Sequence, residues 1–305
     1  MRKMLKSEFV KTWSLRTNLI LLAVLLFINF VYALSVEKQS TASWKENAKK
    51  LHKEYGEALE ECIKEDLSEK MYQPFVTKTA LLEYSLEKNI PYGVTSVFSH
   101  MLKMTEFLGL FVILVVYLGS KIYSNEYDSH TWKNLFCTEV KKRKIYLTKF
   151  IFTIGYLILY MAVFLLLSAV VGLIYFGGGS TGVVLTYLDG QIVENHILAE
   201  IFTIYGMWLI KCLFYVLLVH TCMLFTRQKM LSFLGAVVLM MIAPWVNMLR
   251  GNAKVAQFLP FYYLNMSFEG YGTRFFLYFL VLAGYSILLA VISYVKFVKS
   301  EWKYS

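Results

Sequence analysis

The sequence predicts an all-α membrane protein, and three observations carry that expectation. Of its 305 residues 57% are hydrophobic, with a mean hydropathy of +0.52, more apolar matter than a soluble domain of this length hides. Several apolar runs are long enough to cross a hydrocarbon layer of roughly 30 Å, which takes about 20 residues of helix. Backbone groups in lipid find no water to bond, so runs of this kind are helical.

Six transmembrane helices are expected, at about 18–34, 104–123, 146–176, 199–225, 230–248 and 275–295. The third and fourth exceed the hydrocarbon thickness, which tilt or extension accommodates. No small-x-small cleavage pattern follows the first run, so it reads as a permanent anchor. Ahead of it, Leu5 to Arg16 reads as an amphipathic helix lying in the headgroup region, apolar side chains buried and lysines toward anionic lipid. The whole chain, 1–305, reads as one transmembrane unit.

Lysines and arginines set the orientation. With the N-terminus inside, the inner segments hold 17 basic residues against five acidic ones, and the remainder 14 against 16. The net charge of +10 is therefore a topology signal, and no nucleic acid is needed to explain it. Both termini are expected in the cytoplasm, in a multi-pass protein of the cell membrane.

Residues 35–101 form the one extramembrane segment large enough to be an insertion. From Trp44 to Met71 a helix is expected: Trp44, Ala48, Leu51, Tyr55, Leu59, Cys62, Ile63 and Leu67 recur at helical spacing, and Glu46–Lys50, Lys50–Glu54, Lys53–Glu57 and Glu60–Lys64 stand at i,i+4 on the other face. Pro74 is expected to end that helix, with a shorter one over Thr79–Lys88 and a turn at Pro91-Tyr-Gly93. An extracellular helical hairpin follows, read either as a gate or sensor or as a solvated cover over the outer span ends.

Between the second and third spans lies a polar loop whose helical face is unusually apolar. Tyr127, Thr131 and Leu135 make one stripe with Trp132 and Phe136 beside it, flanked by Glu126, Lys133 and the basic run Lys141-Lys-Arg-Lys144. Buried aromatic anchors dominate many protein interfaces, so this face suits a soluble partner. The other reading is a helix whose aromatic residues dip into lipid.

This loop resembles that of the permease subunits of ABC-2 type ABC exporters. Glu126, Thr131, Lys133, Leu135, Phe136, Val140, Lys144, Ile145 and Lys149 stand at the family's spacings. His130, Trp132, Glu139 and Lys141-Lys142 stand where the family has glycine, leucine, proline and Ser-Arg. Leu5–Arg16 is similar to the family's lead-in helix, and Gln257 to Leu264 to its short outer element before the last span. The resemblance implies a permease domain over 1–305, a cytoplasmic coupling helix between spans two and three, two copies of an ATP-binding subunit and a second permease chain. It implies an amphipathic cargo, such as a peptide antibiotic or a lipid-like molecule, moved outward. ATP and Mg would sit on the partner, and this chain would bind no cofactor and catalyse nothing itself. A membrane sensor or scaffold with a ligand-binding outer hairpin is the alternative.

Gly177-Gly-Gly-Ser-Thr-Gly182 lacks the Gly-Lys-Ser/Thr ending of a phosphate-binding loop and reads as a flexible turn. Lys211 stands well inside the fourth span, where an ionisable group is a functional candidate, with Glu106 or Glu200 as its partner or else a snorkelling stem. His220 and His196 are isolated, and Cys62, Cys137, Cys212 and Cys222 form no Cys-x-x-Cys pair, so neither a metal site nor a disulfide framework is expected. Asn29, Ser168 and Thr221 read as interhelical hydrogen-bonders, Pro244 as a kink, and Asn265-Met-Ser267 as a formal glycosylation match.

Overall fold

A computed structural model describes residues 2–40, 44–66, 69–128, 140–178, 182–188, 190–249, 258–264 and 275–299. Helix α1 (Arg2–Thr12) precedes α2 (Leu15–Ser40), the first apolar crossing candidate. On α1, Glu8 and Thr12 turn inward, while Phe9 and Trp13 stack at 4.9 Å between ring centres on the exposed side. One face thus packs on protein and another offers aromatic surface.

The segment between the first two apolar helices is a hairpin of α3 (Trp44–Lys64) and α4 (Glu69–Lys88). Tyr55 and Phe75 meet across it at 6.2 Å, and the Lys78 ammonium lies 5.1 Å over the Tyr55 ring. Of the four expected i,i+4 pairs, Lys50–Glu54 and Lys53–Glu57 are present at 3.8 and 3.7 Å, both exposed, while Glu46–Lys50 and Glu60–Lys64 are not among the ion pairs of the described residues. Two boundaries differ from the sequence expectation. The first helix ends at Lys64, where Asp66 takes left-handed backbone (φ 53°), and Pro74 lies inside α4 rather than ending α3. Pro74 falls close behind the first turn, whose N–H groups have no helical partner, so its missing donor removes only an early bond.

Helix α5 (Val97–Lys103), a 3-10 turn (Met104–Phe107) and α6 (Leu108–Asp128) follow one another as the second crossing. It begins at Val97 rather than near residue 104 because Ser96 caps it: the Ser99 N–H donates to the Ser96 hydroxyl, and the Ser96 N–H to the Ser99 hydroxyl. Helix α7 (Lys142–Phe176) ends on Gly177 at φ 69°, a conformation glycine adopts freely.

A β-hairpin then departs from the all-α expectation. Strands β1 (Val183–Leu188) and β2 (Gln191–His196) pair antiparallel, with Leu188 opposite Gln191. Just before Gln191, Gly190 supplies a positive φ (87°), which glycine adopts freely at a tight connection. The β-branched residues Val183, Val184, Thr186, Ile192 and Val193 favour the pleated strands on either side.

Helices α8 (Ile197–Thr226), α9 (Lys229–Leu249), α10 (Pro260–Leu264) and α11 (Phe275–Lys299) complete the described chain. Five helices among the described residues are long and apolar enough to cross a membrane: those containing Leu15–Val36, Val97–Ser124, Lys142–Phe176, Ile197–Thr226 and Phe276–Lys299. Apolar α9 continues helical past Pro244 to Leu249. The glycosylation match at 265–267 lies outside the described residues.

Span α8 is the most buried of these and α2 the least, so α8 forms the axis of the bundle. Its Tyr215 and Val219 lie in one core with Phe111 and Val112 of α6, Phe164 of α7 and Tyr278 of α11. Two glycines permit the closest approaches. A Cβ at Gly119 of α6 would stand 3.0 Å from Val216 of α8, and one at Gly172 of α7 only 3.2 Å from the Val97 backbone. Asn29, Ser168 and Thr221 each donate to a carbonyl of their own helix, one turn back; Thr221 also reaches Leu289 of α11 at 3.4 Å, and Ser168 also pairs with the Tyr205 hydroxyl of α8.

Candidate functional site

Four helices converge on one buried charge at the basic end of the bundle. Lys149 of α7, one of the residues that stand at the family's spacings, is fully buried. Its ammonium donates to Glu8 Oε2 of α1 at 3.0 Å and to the Ile122 carbonyl of α6 at 3.3 Å. It lies 5.2 Å from the centre of the Tyr123 ring, and His220 of α8 packs against the far side of this cluster through Tyr123. Glu8 also faces Lys11 at 3.6 Å, so one carboxylate answers two cations. A pair this enclosed survives only when its hydrogen bonds are complete, and removing one partner strands the other's charge.

A second polar tie lies beside it. The Tyr146 hydroxyl of α7 is 2.7 Å from Ser293 Oγ and donates to the Ala290 carbonyl of α11 at 2.9 Å. Deeper in the bundle Asn18 of α2 accepts from the Tyr156 and Tyr160 hydroxyls of α7 through one oxygen. Tyr156 and Tyr160 line a narrow cleft with Thr153, Val115, Gly119 and Val216.

The buried node lies close to the two helix ends that flank residues 129–139. Helix α6 ends at Asp128 and α7 begins at Lys142, so the carbonyl of Ile122 and the side chain of Lys149 fix both ends of the loop to α1. Glu126 and Tyr127 belong to the last turn of α6, and Lys144 is exposed in the first turn of α7. Thr131, Trp132, Lys133, Leu135 and Phe136 lie outside the described residues. Glu8 was the residue sequence reasoning passed over. A signal was present, since it is the only acid in the first 36 residues.

Lys211 is buried in α8 as expected, with its ammonium 4.2 Å over the Trp208 ring. Its nominated partners are engaged elsewhere. Glu106 is exposed on the 3-10 turn and bridges Lys103 at 3.2 Å, while Glu200 accepts from Asn195 at 3.4 Å. The i,i+3 spacing places Lys103 within reach of Glu106 without any rearrangement of the spans.

On the opposite face the α3–α4 hairpin meets the β-hairpin. The Tyr84 hydroxyl of α4 donates to Glu194 Oε1 of β2 at 2.9 Å, and that bond holds the Tyr84 phenol above its ordinary pKa.

Residues 73–243 match the family model described as ABC-2 family transporter protein. The chain belongs to the ABC-2 transporter family. The matched region of this ABC-2 protein runs from early α4 into α9, including the loop and Lys149 but not Glu8. The chain is also 30% identical over 175 residues to the uncharacterized protein YhcI of Bacillus subtilis strain 168, across 55% of this chain and 53% of the relative. It spans about half the length of that curated relative. No solved structure matches it. Family and apolar helices together make it a multi-pass membrane protein.

Proposed function

We propose that this chain is the permease subunit of an ATP-driven ABC exporter, with six membrane crossings and both termini in the cytoplasm. A separate ATP-binding subunit, in two copies, would dock on the loop through Glu126, Tyr127, Thr131, Trp132, Lys133, Leu135, Phe136 and Lys144. A second permease chain would complete the assembly, and ATP with Mg would reside on the partner. The cargo class that fits aromatic-rich spans is an amphipathic peptide or lipid-like molecule carried outward.

The observation that carries this reading is the Glu8–Lys149 node behind the loop. A force applied between α6 and α7 meets no slack there: the Ile122 carbonyl and Glu8 hold Lys149 from two sides. The displacement passes instead to α1 and, through the Tyr123–His220 contact, to the central span α8. ATP binding on the partner then favours one arrangement of the span ends over another, which is all the thermodynamics requires.

The test is co-purification of the chain with an ATP-binding subunit, followed by ATPase and transport assays on Trp132→Ala and Glu126→Ala complexes. The expected outcome is ATP hydrolysis without matched transport, the chain still inserted and folded. Wild-type coupling in both variants overturns the assignment of the loop.

A further inference from the structure

Three helices bring two lysines together at one level of the bundle. On α6, Tyr117 and Lys121 stand one turn apart on the same face. Lys229, the first residue of α9, places its ammonium 5.2 Å over the Tyr117 ring. Phe233, one turn further along α9, meets the same ring edge-on at 6.2 Å, which fixes the two helices against each other. Lys121 donates to Thr17 Oγ1 of α2 at 3.3 Å, and the charge of Lys229 acts on it repulsively.

Among the described residues neither ammonium has a carboxylate within ion-pair distance, in contrast to the Glu8–Lys149 node. Both side chains are only partly buried, and the N-terminus of α9 adds its own partial positive charge. Like charges held this way store repulsion that an anion between them relieves. We propose that Lys121, Lys229 and Thr17 form a site for the phosphate of an anionic glycerophospholipid.

Depth selects a lipid over a soluble anion. Lys121 lies at one end of the crossing Val97–Ser124, Thr17 near the start of the crossing Leu15–Val36, and Lys229 at the start of apolar α9. All three therefore sit where span meets headgroup. Away from the charges the surface turns to hydrocarbon: Leu110, two turns before Tyr117 on α6, and Leu234 of α9 are both exposed. A phosphodiester with two acyl chains satisfies the charges and this greasy flank at once. An interfacial phosphate near each lysine is worth about fivefold in affinity.

The experiment is native mass spectrometry of the full chain in detergent. It is titrated separately with dioleoylphosphatidylglycerol, dioleoylphosphatidylcholine and inorganic phosphate. The tightest phosphatidylglycerol adduct is expected to weaken about fivefold in Lys121→Gln or Lys229→Gln and about twenty-five-fold in the pair. The double arginine variant keeps the adduct, and Lys299→Gln, a base at the far end of α11, leaves it unchanged. Equal binding of phosphatidylcholine overturns the proposal, as does displacement of the lipid by millimolar phosphate, which marks a soluble-anion site. Should the double variant not fold, unchanged affinity in both single variants overturns it equally.

Discussion

The two faces of this protein are held by different kinds of polar contact. At the basic end, Lys149 is fully enclosed and tied to Glu8 and the Ile122 carbonyl, so four helices share one desolvated charge. At the opposite face, the α3–α4 hairpin meets the β-hairpin through the exposed Tyr84–Glu194 bond, and its own ion pairs stand in solvent. Exposed pairs are worth little and buried ones fail badly when broken. The difference teaches where rigidity is placed: behind the loop, not over the outer ends.

Breaking the buried pair gives the largest expected effect. Glu8→Gln or Lys149→Met breaks the buried ion pair that joins α1 to α7, and should destabilise the chain by about 3–5 kcal/mol. Thermal unfolding in detergent measures this. Replacing both residues by apolar ones of similar size should restore much of the loss, and a double variant as weak as the singles contradicts the pair's role.

Crowding the bundle axis comes next. Gly119→Val puts branched carbon into the 3.0 Å approach to Val216 and should cost about 1–3 kcal/mol through displaced helices. Gly119→Ala should do less, because the Val216 methyls yield more readily than backbone. Unfolding curves that superpose on wild type for both variants contradict the close packing of α6 on α8.

The outer face should yield the smallest effects. Glu54→Gln removes one exposed i,i+4 pair, worth about 0.2–0.5 kcal/mol. Tyr84→Phe should leave the melting temperature unchanged while loosening the hairpin, read as faster amide exchange in β2. The Tyr84–Glu194 bond also has a pH sign. The folded phenol is held above its ordinary pKa, so the contact is complete below the unfolded value and fades as pH rises through the folded one. Protection of the β2 amides, taken relative to their base-catalysed intrinsic exchange, should therefore fall in strong alkali in wild type and stay level in Tyr84→Phe.

Apolar length and lysine distribution made the helices legible in the sequence, because lipid leaves a long apolar run no other structure. The ion pair was not legible: Glu8 and Lys149 are far apart in the chain, and a buried lysine reads the same as a loop lysine until its partner is placed. Lys211 shows the same limit from the other side. Its burial was foreseeable, but the carboxylates within nominal reach had nearer partners, Lys103 for Glu106 and Asn195 for Glu200. The β-hairpin was within reach of sequence reasoning, since Asp-Gly between β-branched runs is its usual signal. It went unread because Gly177-Gly-Gly-Ser-Thr-Gly182, just ahead of it, read as a flexible turn. Pro74 misled for a local reason: the helix it was expected to end had already stopped at Lys64.

The account turns on whether a soluble ATP-binding partner grips the loop between α6 and α7. A photo-crosslinking amino acid at Trp132, activated in intact cells, tests this directly. The account predicts a covalent adduct with the ATP-binding subunit and no labelling of Trp132→Cys by a membrane-impermeant thiol reagent added outside. Labelling from outside, or adducts with lipid alone, would contradict it.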